Sequence, residues 1–149
     1  MARPPKGGDT DQIKAVAAGE CGVSISNTYY IARLLRSEKP EDKKAMEKIG
    51  VVWPNQKSFG THINISGGGM LKTAPHKDAA VTFLEYLAND EAQAYFANGN
   101  NEWPAVKTVN ARNPALESLG PFKPDSLNVG TLSKNTALAQ KVFDRAGWR

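Results

Sequence analysis

Gly22-Val23-Ser24-Ile25-Ser26-Asn27-Thr28-Tyr29-Tyr30-Ile31-Ala32-Arg33-Leu34-Leu35 changes its period half-way. Residues 22–26 alternate apolar and polar, as a short strand does, whereas Tyr30, Ile31, Leu34 and Leu35 recur at helical spacing behind Asn27, a favourable N-cap. A strand that runs directly into an amphipathic helix is an α/β signal, and it places two adjacent tyrosines in the helix's first turn. Tyr29 lies about 100° from Tyr30 around that helix. The stripe can bury Tyr30 while Tyr29 faces a cleft, or the irregular helix start can turn both hydroxyls the same way. Tandem aromatics at a helix base ordinarily serve packing. The competing reading is chemical: a deprotonated phenol is a hard anionic oxygen ligand, and two together suit a hard, highly charged cation such as ferric iron.

The α/β rhythm continues on both sides. Upstream, Asp9 or Thr10 can cap a helix reaching about Gly19, with Ile13, Val16 and Ala17 on one face and Gln12 completing a capping-box-like arrangement from Asp9. Downstream, Pro40 at a first helical position, Glu41 and Asp42 in the first turn, and Gly50 past the end bracket a helix with Ala45, Met46 and Ile49 inward. Val51-Val52-Trp53 reads as a brief strand stopped by Pro54, and residues 60–66 alternate with Ile63 and Ile65 on one face. Gly67-Gly68-Gly69 permits a sharp bend but is not followed by the Gly-Lys-Ser/Thr of a phosphate loop. A helix over 75–89 carries Ala80, Phe83, Leu84 and Leu87; Asn89 caps the next one, with Ala92, Tyr95 and Phe96; residues 101–131 are irregular. A final helix from about Ser133 to Ala146 points Leu138, Ala139, Val142 and Phe143 inward and ends at Gly147.

Composition narrows the function classes. With 149 residues, 40% hydrophobic and 23% charged, the chain is long and apolar enough for one ordinary core. No apolar run is long enough to cross a bilayer, and Met1 to Gly8 lack the apolar segment of a secretory signal. The net charge of +4 arises from 19 Lys and Arg interleaved with 15 Asp and Glu, without a basic stripe studded with aromatics, so no nucleic-acid partner is expected. The single cysteine, Cys21, excludes an internal disulfide and multi-cysteine zinc motifs. No Gly-x-Ser-x-Gly elbow accompanies His62 or His76, and the carboxylates Glu41, Asp42, Glu47, Asp90 and Glu91 sit at helix starts or on exposed faces. An enzyme is therefore not expected.

Residues 7–21, followed by Asn27-Thr28-Tyr29-Tyr30-Ile31-Ala32-Arg33-Leu34, closely resemble the periplasmic ferric-ion-binding proteins of bacterial ABC iron importers. The resemblance continues, in the same order, through Trp53-Pro54-Asn55-Gln56, residues 60–67, the helical block 79–93, Asn101-Glu102-Trp103-Pro104 and Phe143-Asp144-Arg145-Ala146-Gly147-Trp148. It implies an α/β, periplasmic-binding-protein type II-like fold, of which this chain is roughly one lobe plus the crossing-strand region of a two-lobe protein. On that reading residues 1–60 and 111–149 are C-terminal lobe segments within a single incomplete unit. Residues 61–110 hold a crossing strand and helices that would normally join the N-terminal lobe, so the faces of Phe83, Leu84 and Leu87 are expected to lack partners.

The same resemblance implies the function: ferric iron held by the phenolates of Tyr29 and Tyr30, with a synergistic carbonate or phosphate at Asn27, for delivery to an inner-membrane ABC permease from the periplasm. Gly8-Asp9 resembles another anion-side segment. Some relatives carry asparagine where Asp9 stands; a carboxylate there disfavours an anion, so Asp9 is not assigned as a contact. The alternatives are a binding protein for another small solute or oxyanion, with the tyrosines as aromatic walls, and a non-binding fragment that pairs into a homo-oligomer through its uncovered surface in the absence of the N-terminal lobe.

Overall fold

The computed structural model describes residue 4, residues 6–110 and residues 112–148. The reading of the first residues as free of a signal segment, where it rests on residues 1–3 and 5, and the expected segment boundary at 111 lie outside them. The chain forms two compact units: residues up to Val52 together with Asn64–Pro121, and Trp53–Ile63 together with the residues from Phe122 on.

In the first unit, α1 (Asp9–Ala17) opens at Gly8 rather than at Asp9 or Thr10. The Asp11 carboxylate accepts the Gly8 N–H at 2.8 Å, while Asp9 turns away from its own helix to accept the Asn27 N–H at 2.9 Å. Gln12 donates to the Lys6 carbonyl instead of completing a box with Asp9. Gly19 takes a left-handed φ of +80° just past the helix, where a side chain would be strained.

α2 (Thr28–Leu35) has Asn27 at its N-cap, but the Asn27 side chain makes no capping bond. Ile31, Ala32 and Leu34 are buried, and Ile13, Ile31 and Leu34 form a core against which Tyr30, Met46, Ile49, Val51 and Leu119 pack. Leu35, expected on the stripe, is exposed. α3 (Pro40–Met46) starts with proline as expected. Asp42, however, is not an exposed first-turn carboxylate: it is only 6% exposed, accepts the Ser37 hydroxyl at 2.6 Å and pairs with Lys14 at 2.6 Å. A buried carboxylate is tolerable when a cation and a donor both meet it.

The expected strands at 22–26, 51–53 and 60–66 form no ladder; among the described residues the pairing is one parallel bridge, Thr61 to Pro124. An extended segment becomes a strand only when a neighbour supplies carbonyls and N–H groups in register. Val23 and Ile25 accordingly stand 85% and 84% exposed.

α4 (Lys77–Leu87) carries the expected apolar face, yet none of its residues is buried and Phe83 is 59% exposed. Asn89 caps α5 (Asp90–Tyr95) by accepting the Ala92 N–H at 2.9 Å. A π turn (Phe96–Asn100) follows, then Asn101 with φ +58°. The stretch expected to be irregular hides a short α6 (Pro114–Glu117), capped by Asn113 through the Ala115 and Leu116 N–H groups. The Asn113 amide also donates to the Ala97 carbonyl at 2.7 Å and to Asn101 Oδ1 at 3.0 Å. Arg36, at the end of α2, donates to the Asn98 carbonyl at 2.6 Å and Asn101 Oδ1 at 2.7 Å, locking the π turn to that helix.

In the second unit Trp53 stacks on Phe122 at 4.3 Å between ring centroids, and Gln56 ties both segments by accepting the Lys123 N–H at 2.6 Å and donating to Thr61 Oγ1 at 2.8 Å. Gly60, at φ +99°, passes so close that a Cβ would lie 2.7 Å from the Lys123 and Pro124 carbonyl oxygens. α7 (Gly130–Ala146) begins three residues before the expected Ser133 and stops at Gly147, φ +63°, as read from the sequence. Its apolar residues Leu138, Val142 and Phe143, expected inward, are exposed. Periodicity identifies an apolar face but not whether anything meets it. Among the described residues no helix is long and apolar enough to cross a membrane.

Leu116 is 1% exposed in α6, which packs on α2, and Asn113 ties the start of α6 to the π turn. Leu116→Ala is expected to cost about 2–5 kcal/mol and Asn113→Ala about 1–2 kcal/mol in denaturant unfolding. The Lys14–Asp42 pair adds a pH signature. Lys14 and then Ser37 hold the Asp42 carboxyl below its ordinary value, and hydrogen bonding to Asp42 lifts Lys14 above its own. The Asp42 contribution is present above the ordinary 3.8 and disappears as pH falls through the lowered value; that of Lys14 is complete below 10.5 and disappears as pH rises through the raised one. Unfolding midpoints measured across pH are expected to show both losses in the parent chain and neither in Asp42→Asn.

Candidate metal centre

The rotation of α2 is set by the burial of Ile31, Ala32 and Leu34, and this leaves the two tyrosines half-buried at the end nearest Asn27. Their rings lie 4.3 Å apart between centroids with a tilt of 37°. The two rings thus lie side by side at the helix start, and Tyr30 also packs against the core. The Arg33 guanidinium stands 5.4 Å from the centre of the Tyr30 ring, a cation–π contact one turn along the helix.

The Tyr29 phenol is held above its ordinary value, first by its hydrogen bond with Tyr30, then by partial burial, then by the negative charges of Tyr30 and Asp9; the Asn27 side chain opposes this by hydrogen-bonding to Tyr29. Asn27 is the N-cap of α2, two residues before Tyr29. Its Oδ1 accepts from Asn64 at 3.4 Å, and its backbone N–H is taken by Asp9. The three residues singled out from the sequence, Asn27, Tyr29 and Tyr30, lie together. Sequence reasoning missed the part played by Asp9, which it read as a cap of α1, and the Arg33 contact; an arginine three residues after a first-turn tyrosine was the available signal for the second.

Chemically, two phenol oxygens on adjacent residues form a compact hard-donor pair, with an amide on one side and a carboxylate near the helix start. His62 lies in the other unit and is exposed, and His76 precedes α4. Among the described residues, no three of the His, Cys, Asp and Glu side chains gather as a metal cluster. Oxygen donors from Tyr29 and Tyr30 are the candidate ligands that this chain brings together.

Residues 4–123 match the family model described as bacterial extracellular solute-binding protein. The chain belongs to that family. It is 47% identical to Iron uptake protein A2 of Synechocystis sp., over all of this chain but 43% of the relative. Among solved structures, the Trichodesmium protein FutA (IdiA) in complex with iron and citrate matches with 52% identity and a TM-score of 0.91, covering 100% of this chain and 47% of that one. The ferric binding protein from Campylobacter jejuni matches with 38% identity and the same TM-score, again over 100% and 47%. The fold is that of type II periplasmic binding proteins, and the chain spans about half the length of the relatives it matches.

The raised position of Tyr29 gives a spectroscopic expectation. In the metal-free protein, tyrosinate absorbance against pH is expected to show a component ionising above 10.0 that vanishes in Tyr29→Phe. Because the folded state holds this proton more tightly, its stabilisation is complete below 10.0 and fades as pH climbs through the raised value. Tyr29→Phe therefore flattens the alkaline fall of the unfolding midpoint.

Proposed function

We propose that this chain contributes a ferric-iron site to solute capture for ABC-transporter-mediated iron uptake, with Tyr29 and Tyr30 as phenolate ligands. The observation that carries the reading is the pair of neighbouring tyrosine rings at the start of α2, in a chain aligned over its whole length with iron-uptake and ferric-binding relatives. Fe(III) is a hard cation and phenolate a hard anion; binding releases the phenol protons, so affinity falls as pH drops. Two phenolates leave coordination positions open. A small anion such as carbonate or phosphate beside Asn27 is one source of further oxygens.

The remaining assignments follow the same reading. The site works by binding rather than catalysis, in the periplasm, and hands its cargo to an inner-membrane permease. Residues 61–110 would normally join an N-terminal lobe, with residues 1–60 and 111–149 as segments of the other; the absence of any buried residue in α4 supports this division.

Titration with ferric nitrilotriacetate is expected to give a visible phenolate-to-iron absorption band that weakens in Tyr29→Phe and Tyr30→Phe and is lost in the double variant. Protein that stays colourless at every anion tried rejects the ferric reading and leaves a small solute or oxyanion, with the rings as walls. Concentration-dependent dimers without iron binding favour self-association instead.

A further inference from the structure

The second unit holds the whole net charge of the chain. Its residues carry six Lys and Arg against two Asp, whereas the first unit balances thirteen Lys and Arg against thirteen Asp and Glu; the difference is the +4 of the full sequence. Three of those six cations, Lys134, Lys141 and Arg145, are on α7. At about 100° per residue they occupy about 40° of the helix surface, along one edge of an apolar arc of about 140° formed by Leu132, Leu138, Ala139, Val142 and Phe143. Asp144 falls beyond the cations and accepts the Gln140 amide at 2.9 Å. No residue of α7 is buried, and Trp148, just past its end, is 51% exposed. α4 is equally uncovered but sets Lys77 against Asp78 and Glu85, so its charge favours no partner.

We propose that α7 docks on the surface of an anionic lipid bilayer. An uncovered apolar arc edged by cations is the pattern of a helix that lies in a membrane interface, with its apolar side at the acyl boundary and its cations at the headgroup phosphates. Among the described residues no helix is long and apolar enough to span, so α7 rests on the bilayer rather than crossing it. The occupant is chosen by charge: a neutral surface gains only the apolar contact, whereas an anionic one also meets Lys134, Lys141 and Arg145. Docking supplies the burial that α7 lacks within the chain and so stabilises the helix itself. The proposal is independent of the ferric reading, whose candidate ligands belong to the first unit.

Co-sedimentation of the full, iron-free chain with vesicles tests this, using phosphatidylglycerol and phosphatidylcholine in equal parts and phosphatidylcholine alone. The chain is expected to bind the anionic vesicles, to gain helical circular dichroism on doing so, and to be released at about 1 M salt, where charges are screened within about 3 Å. Replacing Lys134, Lys141 and Arg145 together by Gln is expected to weaken binding roughly a hundredfold, about fivefold per cation. Val142→Ser with Phe143→Ser is expected to weaken it about tenfold or more through lost apolar burial. Replacing the exposed Lys39, Lys44 and Lys48 of the first unit by Gln removes the same net charge and is expected to leave binding intact. Equal binding to both kinds of vesicle, no binding to either, or an equal loss in the two triple variants overturns the proposal. Dimers seen by light scattering that the Val142→Ser, Phe143→Ser chain no longer forms, without lipid binding, overturn it in favour of a second copy on this face.

Discussion

Burial of Ile31, Ala32 and Leu34 is the constraint on which the candidate site depends. Those residues close one side of α2 against Ile13 of α1 and the partly buried Met46, Ile49, Val51 and Leu119, so the helix has one rotation available. Once that rotation is set, the first turn must present Tyr29 and Tyr30 at the end facing Asn27 and Asp9. Arg36 holds the opposite end of α2 to the π turn through Asn98 and Asn101. A helix anchored at both ends and along one face carries its candidate ligands with little freedom, which would favour binding of a cation because less order has to be created.

The pairing of the phenols is unfavourable for ionisation in the absence of metal and useful in its presence. Hydrogen bonding with Tyr30 first, then partial burial and only then the like charge of the neighbouring phenolate hold the proton on Tyr29, and the raised Tyr29 phenol expresses their sum. A trivalent cation reverses the sign: the same proximity that kept the proton now puts two anionic oxygens within one coordination sphere. Such a pair discriminates by charge and hardness, since a soft or weakly charged cation gains too little to displace the protons.

Much of this was legible in the sequence because it is local. The caps and stops at Pro40, Asn89 and Gly147, the α2 stripe and the Tyr29-Tyr30 pair all follow from residue type and spacing within a turn or two. The errors are contacts that cross the chain. Asp9 was read as an ordinary α1 cap because nothing in residues 8–12 announces that Asn27 will compete for its carboxylate. Asp42 was read as surface because its partners Lys14 and Ser37 belong to other segments. The α6 turn was hidden by its shortness, since four residues carry no period. Val23, Ile25 and the apolar residues of α7 fail for the opposite reason: their pattern was read correctly, but a pattern cannot supply the surface that would cover it.

Those uncovered residues mark where the chain's own packing ends. α4 and α7 have amphipathic patterns without a single buried residue, and the segment at 22–26 has strand alternation without a partner strand. Each is a feature whose stabilisation comes from burial against a neighbour, because isolated helices of this length and unpaired strands are marginal in water. The candidate metal centre differs from them: α2, α1 and α3 bury a shared core of their own, and the hydrogen bonds around Asp9, Asn27 and Asn64 close within one unit. The part of the chain that holds the proposed ligands is therefore the part with its own packing, and the segments that lack cover lie outside that core.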